Sequence, residues 1–255
     1  MVIHQGRGHL VAFRTFLSSM GINAPAVDTV PGRTAVRPGD ELPFKILVRG
    51  GGADVKVDRL AVELVIRVEE SETTETNWTD PHVLATSDTG AFALAAKEDR
   101  EFEGSLAIPW EMPLTHALGR RLKGARCALR TTMEIDNAVD RGDFDEIAVH
   151  ARPVQDAMFQ AFADLGFRFD EAEVKKHFRN FQQTQTLGYC QELEFWFPAS
   201  YNRQDQLEMT VITPDAESVE VIPGSTGSFL FTADELDVQR WTSWLDEFCR
   251  ERWDR

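Results

Sequence analysis

Basic residues are scarce in this chain, and their scarcity argues against two large classes of ligand. The 255 residues include 27 Lys and Arg against 42 Asp and Glu, a formal net charge of −15 at pH 7. Binding to nucleic acid or to an anionic bilayer depends on clustered Lys and Arg that release counterions. We therefore predict that neither nucleic acid nor an anionic membrane is the main ligand.

Long apolar runs and close cysteine pairs are also missing. The stretch HLVAFRTFLSSMG near the start is interrupted by Arg14, is too short to span a bilayer and lacks the pattern of a signal peptide. Cys127, Cys190 and Cys249 lie far apart and form no CxxC pair for zinc or redox chemistry. We predict a cytoplasmic protein with no membrane span, and we expect Cys127 to be a core residue.

Motifs of catalysis are absent as well. The six histidines are scattered, with no HxxxH pair, and no GxSxG nucleophile motif occurs. The sequence therefore predicts no catalytic, cofactor-binding or metal-binding residues and no cofactor. An enzyme with a dispersed site is the weakest hypothesis.

The densest acidic stretch, EIDNAVDRGDFDEI, leaves one alternative open. Oxygen ligands of this kind could collect a calcium ion or another small ligand, although their spacing does not match an EF-hand loop. The alternative function is therefore a small-ligand or calcium-binding module that uses residues 136–146, with these acidic side chains: Asp136, Asp140, Asp143, Asp145 and Glu146.

Three consecutive glycines, residues 50–52, raise the question of a phosphate-binding loop. Such a loop runs into a helix and usually carries a Lys and a Ser or Thr, but here an alternating strand pattern follows and no GKS or GKT exists. We interpret the glycines as a hairpin turn that supplies positive φ.

The first half of the chain shows the two-residue period of half-buried strands. Apolar residues alternate in LPFKILV, in LAVELVIRV and in three later runs, EFEGSLAI, ARCALRTTMEI and EIAVHA. Turn residues, and no long helical segments, separate these runs, which favours a sandwich of antiparallel sheets. A short N-terminal helix precedes them, with Leu10, Phe13, Leu17 and Met20 at helical spacing.

The second half begins with a helical pattern and then returns to strands. VQDAMFQAFADLGF predicts a short helix that stops at Gly166, and ELEFWF, QLEMTVI and SVEVI predict strands. The predicted fold class is therefore all-β with short N-terminal, mid-chain and C-terminal helices. We predict a β-sandwich domain over residues 1–152, a second over 153–231 and a C-terminal amphipathic helix over 232–255.

The C-terminal helix carries the candidate partner-binding residues. Thr232 and Glu235 have the spacing of a capping box, and an apolar face rich in tryptophan follows them. Such a face must be covered by the domain, by a second copy or by a partner. Packing within the chain is the favoured interpretation, and the candidate partner-binding residues are Trp241, Trp244, Leu245 and Phe248.

Several segments together resemble the sporulation-control protein M (SpoOM) family. They occur in the order typical of that family and extend over about residues 9 to 222: FRTFLSSMGINAPAVDTV, RPGDELPFKILVRGG, VDRLAVELVIRVE, IPWEMPLT, LRTTMEIDNAVDRGDFDEIAVH, FADLGFRF and QELEFWFP. The resemblance implies two tandem arrestin-like β-sandwich domains. It also implies a regulatory role in sporulation, stress or cell-division control, without catalytic residues.

The functional prediction follows from the fold and the resemblance together. We predict a non-enzymatic, arrestin-like adaptor that binds protein partners, as yet unknown, through sheet edges and interdomain loops. A homo-oligomer is possible because the C-terminal apolar face could be covered by a second copy.

Overall fold

The computed structural model describes residues 24–71, 74–75, 81–136, 141–176 and 184–253. The predicted N-terminal helix lies outside this part of the chain. The strands are β1 Ala26–Pro31, β2 Ala35–Val36, β3 Glu41–Arg49, β4 Val55–Ile66, β5 Glu69–Ser71, β6 Thr74–Glu75, β7 His82–Asp88, β8 Phe92–Leu94, β9 Asp99–Ala107, β10 His116–Ala117, β11 Arg120–Arg121, β12 Cys127–Ile135, β13 Arg141–Glu146, β14 Ala148–Val149, β15 Arg168–Lys176, β16 Tyr189–Trp196, β17 Gln206–Ile212, β18 Ser218–Pro223 and β19 Phe229–Thr232. The described α-helices are α1 Pro153–Asp164 and α2 Val238–Trp253. Strands dominate, and the predicted all-β class is confirmed.

The first half is a sandwich of two sheets. One sheet has the order β1-β3-β9, and the other has the order β13-β12-β4-β7 with β8 also paired to β4. Alternate residues of β3 are buried, which matches the two-residue period of its sequence. The Thr29 and Thr131 hydroxyl groups form a buried 2.5 Å hydrogen bond between the two sheets. The apolar side chains between the two sheets belong to one buried cluster.

The glycine triplet is a turn, but the predicted hairpin is wrong. β3 and β4 belong to different sheets, so residues 50–54 carry the chain across the sandwich. None of the three glycines is among the described positive-φ residues. Gly50 is needed for close approach instead: a Cβ there would lie 2.2 Å from the Ala95 carbonyl oxygen. A strand rather than a helix follows, so the N–H groups of a helix start are not available to hold a phosphate at this point.

The second half is built around one seven-stranded sheet. Its order is β19-β18-β17-β16-β15-β5-β6, so a short segment of the first half forms one end of it. β5 pairs in parallel with β15 through Glu69 and Lys175. Both helices cover one face of this sheet and contact each other. The boundary between residues 152 and 153 coincides with the start of α1, and the domain division itself stays a prediction.

Helix α1 forms where its apolar spacing predicts it. Pro153 occupies the first turn, where its missing N–H costs nothing, and the Gln155 side chain accepts a 2.9 Å hydrogen bond from the Arg152 N–H. Phe159 and Phe162 are buried on the sheet, and the Phe162 ring stacks on the Phe195 ring at 3.7 Å. Gly166, with φ of +87°, ends the helical segment.

The structure adds one negative finding about membranes. Neither of the two described helices is long and apolar enough to cross a bilayer.

Candidate functional site

The C-terminal helix begins later than its sequence pattern suggested. Thr232 makes no side-chain capping bond and precedes only a short 3-10 turn, Ala233–Glu235. The α-helix starts at Val238, and Asp237 caps it by accepting a 2.7 Å hydrogen bond from the Arg240 N–H. The predicted capping box at Thr232 and Glu235 is therefore wrong, because Asp237 offers the helix its own cap.

Two of the four candidate partner-binding residues lie in the core. Trp241 and Leu245 are each 1% exposed. The Trp241 indole Nε1–H donates a 3.1 Å hydrogen bond to the Val154 carbonyl oxygen at the start of α1. These contacts fix α2 against α1, so both residues hold the helix in place.

The other two candidates border solvent. Trp244 and Phe248 are half-buried and stack on each other at 5.4 Å. Both rings also contact Phe229 of β19, and Trp244 contacts Phe231. The structure thus brings all four candidates onto one helix face, and only Trp244 and Phe248 keep accessible surface. Their role in binding a partner stays a prediction.

Strand β19 presents a feature that the sequence analysis missed. It is the outermost strand of the seven-stranded sheet, and it pairs with β18 on one side. Phe229 and Phe231 point toward α2, whereas Leu230 between them is 63% exposed, the highest fraction among the large apolar side chains described. The alternation in FLFT could have indicated the exposed leucine, but the open edge depends on strand order.

The acidic stretch 136–146 folds in part as strand β13. Residues 137–140, which include the predicted Asp140, lie outside the described part. Asp143 accepts a 2.8 Å hydrogen bond from the Thr29 N–H. The described residues contain no group of three or more His, Cys, Asp or Glu side chains placed to hold a metal ion.

Asp145 is the perturbed carboxyl of this stretch. Its Oδ2 atom is buried without a hydrogen-bond partner among the described residues. Burial, with the neighbouring charges of Asp143 and Asp28, raises the pKa of Asp145 from 3.8 to about 7. Burial and the repulsion between neighbouring carboxylates therefore both disfavour the charged form of Asp145.

The raised pKa of Asp145 predicts a pH-dependent stability. Between about pH 4 and pH 7, Asp145 is protonated in the folded protein but ionised in the unfolded chain. The free energy of unfolding therefore falls as pH rises through that window. Asp145→Asn removes the buried charge. We expect this variant to be about 1–2 kcal/mol more stable than the parent at pH 8, since solvent screens part of the effect, and equal to it near pH 4. Urea unfolding at both pH values measures this difference.

Asp234→Asn provides the matched control, because Asp234 is exposed. It should change the free energy of unfolding little at either pH. An Asp145→Asn effect of the same size at pH 4 and pH 8 would contradict the assigned titration.

The three cysteines lie in the core and are not reactive thiols. All three cysteines are buried, as expected for Cys127. Burial raises the pKa of Cys127, and that of Cys249 to about 12, so these thiols stay protonated.

The His116 and His150 rings stack at 4.7 Å across a strand bridge, a juxtaposition that their sequence positions did not indicate. Burial and the neighbouring His150 lower the pKa of His116, which favours a neutral ring.

The two halves meet along a seam, which we define as the contact between residues 108–124 and the second half. The Gln191 amide both accepts from the Leu114 N–H and donates to the Leu114 carbonyl oxygen, each at 2.8 Å. The Thr213 hydroxyl donates to the Trp110 carbonyl oxygen at 2.9 Å. Because Gln191 and Thr213 are buried, these bonds hold the halves in one arrangement.

Comparison with known proteins identifies the family. The family model described as SpoOM protein matches residues 13–223. The chain belongs to the SpoOM protein family. The matched segment includes the sandwich, the seam, α1 and the sheet as far as β18, and it ends before β19 and α2.

A sequence comparison and a structural comparison each find a sporulation-control protein of Bacillus subtilis similar to this SpoOM family member. The sporulation-control protein spo0M of Bacillus subtilis (strain 168) is 28% identical over 212 residues, which are 82% of this chain and 78% of that protein. The crystal structure of Spo0M from Bacillus subtilis superposes with a TM-score of 0.76 at 24% identity, covering 90% of this chain and 99% of that one. The structural match confirms the fold of this SpoOM chain.

Proposed function

We propose that the chain is a non-enzymatic regulatory adaptor that acts through protein–protein binding in sporulation control, or in the related control of stress responses and cell division. Membership of the SpoOM family and the similarity to a sporulation-control protein support the regulatory part. All three cysteines are buried, so none of them is placed to act as a catalytic nucleophile. The adaptor would work in the cytoplasm and without a cofactor.

Strand β19, at the edge of the seven-stranded sheet, is the main observation that supports a binding mode. Natural sheet edges are usually protected by Lys, Pro or a bulge, but the sequence of β19 is FLFT and contains no charge and no proline. Its inner face is fixed on α2 by Phe229 and Phe231, whereas Leu230 is exposed. No strand in the described part of the chain pairs with the outer edge of β19, and such an edge beside an exposed apolar side chain suits the addition of an extended partner segment.

Leu230→Lys tests this mode by placing a charge on the edge. The tagged full-length chain and the variant are used to capture proteins from host lysates of growing and of starved cells, with quantitative mass spectrometry. We expect the variant to lose about nine-tenths or more of the specifically captured partner, since one charge in an apolar contact costs over 1.4 kcal/mol.

Leu47→Lys is the matched control. Leu47 is 41% exposed but lies on β3, the central strand of its sheet, where no edge is available. This control should retain the partner, and both variants should keep the parent melting temperature. Equal capture by the parent and by Leu230→Lys would refute binding at the β19 edge.

A further inference from the structure

One stretch of this acidic chain contains basic residues but no acidic residue. Residues 112–133 contain five Lys and Arg and no Asp or Glu, whereas the whole chain has 42 acidic residues against 27 basic ones. This stretch contains β10 and β11, which pair as a short antiparallel hairpin at the seam. The fold therefore concentrates positive charge beside the second half.

A cavity of about 660 Å3 opens between this hairpin and α1. Leu118 at the tip of the hairpin is 44% exposed, although its N–H donates a 2.6 Å hydrogen bond to Asp156 of α1. The volume lies in the range of ligand pockets. The floor of the cavity is the outer side of the core, where five phenylalanines lie and only Phe169 among them is more than 6% exposed: Phe159, Phe162, Phe167, Phe169 and Phe195.

Three arginines also line this cavity, and their present ion pairs are weak. Arg121 lies 3.8 Å from Glu146, which is shared with Arg126, and Arg168 lies 3.9 Å from Asp170. Arg120 forms no ion pair with any residue that the structure describes. Exposed pairs at such distances contribute little, so the arginines can pair with an incoming carboxylate at small cost.

The positive surface continues past the cavity. A second hollow, of about 540 Å3, shares Arg121 and Leu122 with the first and is also lined by Arg67, Lys123 and Arg126. Glu171 is the acidic residue of this hollow and pairs with Lys123 at 2.5 Å. Two adjacent hollows along one hairpin suit an extended chain better than a compact small molecule.

We propose that these two hollows bind an acidic segment of a partner protein. The carboxylates of the segment pair with Arg120, Arg121 and Arg168, and an aromatic or aliphatic side chain of the segment lies against the exposed Leu118 at the mouth of the cavity. A bilayer is disfavoured because the surface is concave and the chain as a whole is acidic, so an anionic membrane repels the rest of the molecule. This site rests on the proposed adaptor function and specifies the kind of partner segment, but it does not use the β19 edge.

The test uses a fluorescein-labelled peptide, DEDFLDED, and the full-length protein in an anisotropy titration. Arg120→Glu with Arg121→Glu should weaken binding at least about tenfold, and added salt should weaken parent binding. Replacing the central Phe-Leu by Ser-Ser in the peptide, or filling the mouth with Ala163→Trp, should have a similar effect. Ala163 is exposed, so this variant is compatible with folding.

The matched control is Arg33→Glu with Arg240→Glu, which changes the net charge equally at exposed positions that line neither hollow. It should retain most of the affinity. No peptide binding by the parent protein, or equal loss in the two double variants, would overturn the site. A third result would also overturn the site: the protein binds phosphatidylcholine vesicles only when they contain phosphatidylserine, this binding requires Arg120 and Arg121, and the peptide does not bind. Leu230→Lys should leave peptide binding unchanged, which separates a failure here from a failure at the β19 edge.

Discussion

Deletion of residues 232–255 is expected to produce a protein that aggregates or unfolds at a much lower temperature. The deletion removes Trp241 and Leu245 from the core and exposes Phe229 and Phe231 of β19. At about 25 cal/mol per Å2, a few hundred Å2 of newly exposed apolar surface costs several kcal/mol. The total stability of a domain is about 5–15 kcal/mol, so this loss is decisive. Size-exclusion chromatography and thermal unfolding of the truncated chain measure it.

A point substitution in the same helix tests whether the loss of stability comes from lost packing contacts or from shortening the chain. Trp241→Ala should lower the free energy of unfolding by about 3–5 kcal/mol, because it opens a cavity and leaves the Val154 carbonyl oxygen without its indole donor. Arg240→Ala, at the exposed neighbouring position, should cost less than about 0.5 kcal/mol. A truncated chain that stays monomeric with the parent melting curve would show that α2 is a partner-binding element and not a core element.

Phe162→Ala is expected to have the second large effect. Phe162 is 1% exposed, stacks on Phe195 at 3.7 Å and meets the edge of Phe167 at 5.2 Å. Truncation of a fully buried phenylalanine costs about 3–5 kcal/mol, from lost transfer free energy and from the cavity that remains. Chemical denaturation followed by tryptophan fluorescence gives the difference.

Phe144→Ala is the matched control for this substitution. Phe144 is 37% exposed on β13, so its truncation should cost about 1 kcal/mol or less. If Phe162→Ala and Phe144→Ala destabilised the protein equally, α1 could not be the layer that closes the core over the sheet.

Much of the fold could be predicted because strand burial leaves a period of two in the sequence. β17 occupies the predicted segment QLEMTVI, Gln206–Ile212, and β12 occupies most of ARCALRTTMEI. In both strands alternate side chains face a packed layer. Helix α1 was equally readable, since Phe159 and Phe162 repeat at helical spacing before a glycine stop.

The wrong predictions concern contacts that a local pattern does not encode. A hairpin and a connection between sheets have the same glycine-rich sequence, and only the partner strands of β3 and β4 distinguish them. Thr232 matched a capping box, but Asp237 is nearer to the residues that pack, and packing sets where the helix begins.

The candidate surfaces depended still more on tertiary structure. Leu230 is ordinary in sequence and becomes notable only because β19 is the last strand of its sheet. Arg120 and Arg168 are far apart in the chain, and the cavity that they share forms only when the hairpin packs beside α1. Periodicity predicts which face of a strand is buried but not which elements become neighbours.

The Gln191 amide that holds Leu114 also affects how the chain is synthesised. The two residues are separated by 77 positions, and both bonds of the Leu114 backbone to Gln191 are buried in the finished protein. At about 5–20 residues per second, a ribosome needs about 4–15 s to add the missing donor and acceptor. During that interval the Leu114 N–H and carbonyl oxygen are hydrogen-bonded to water, and they exchange water for the Gln191 amide only when the second half packs against the sandwich.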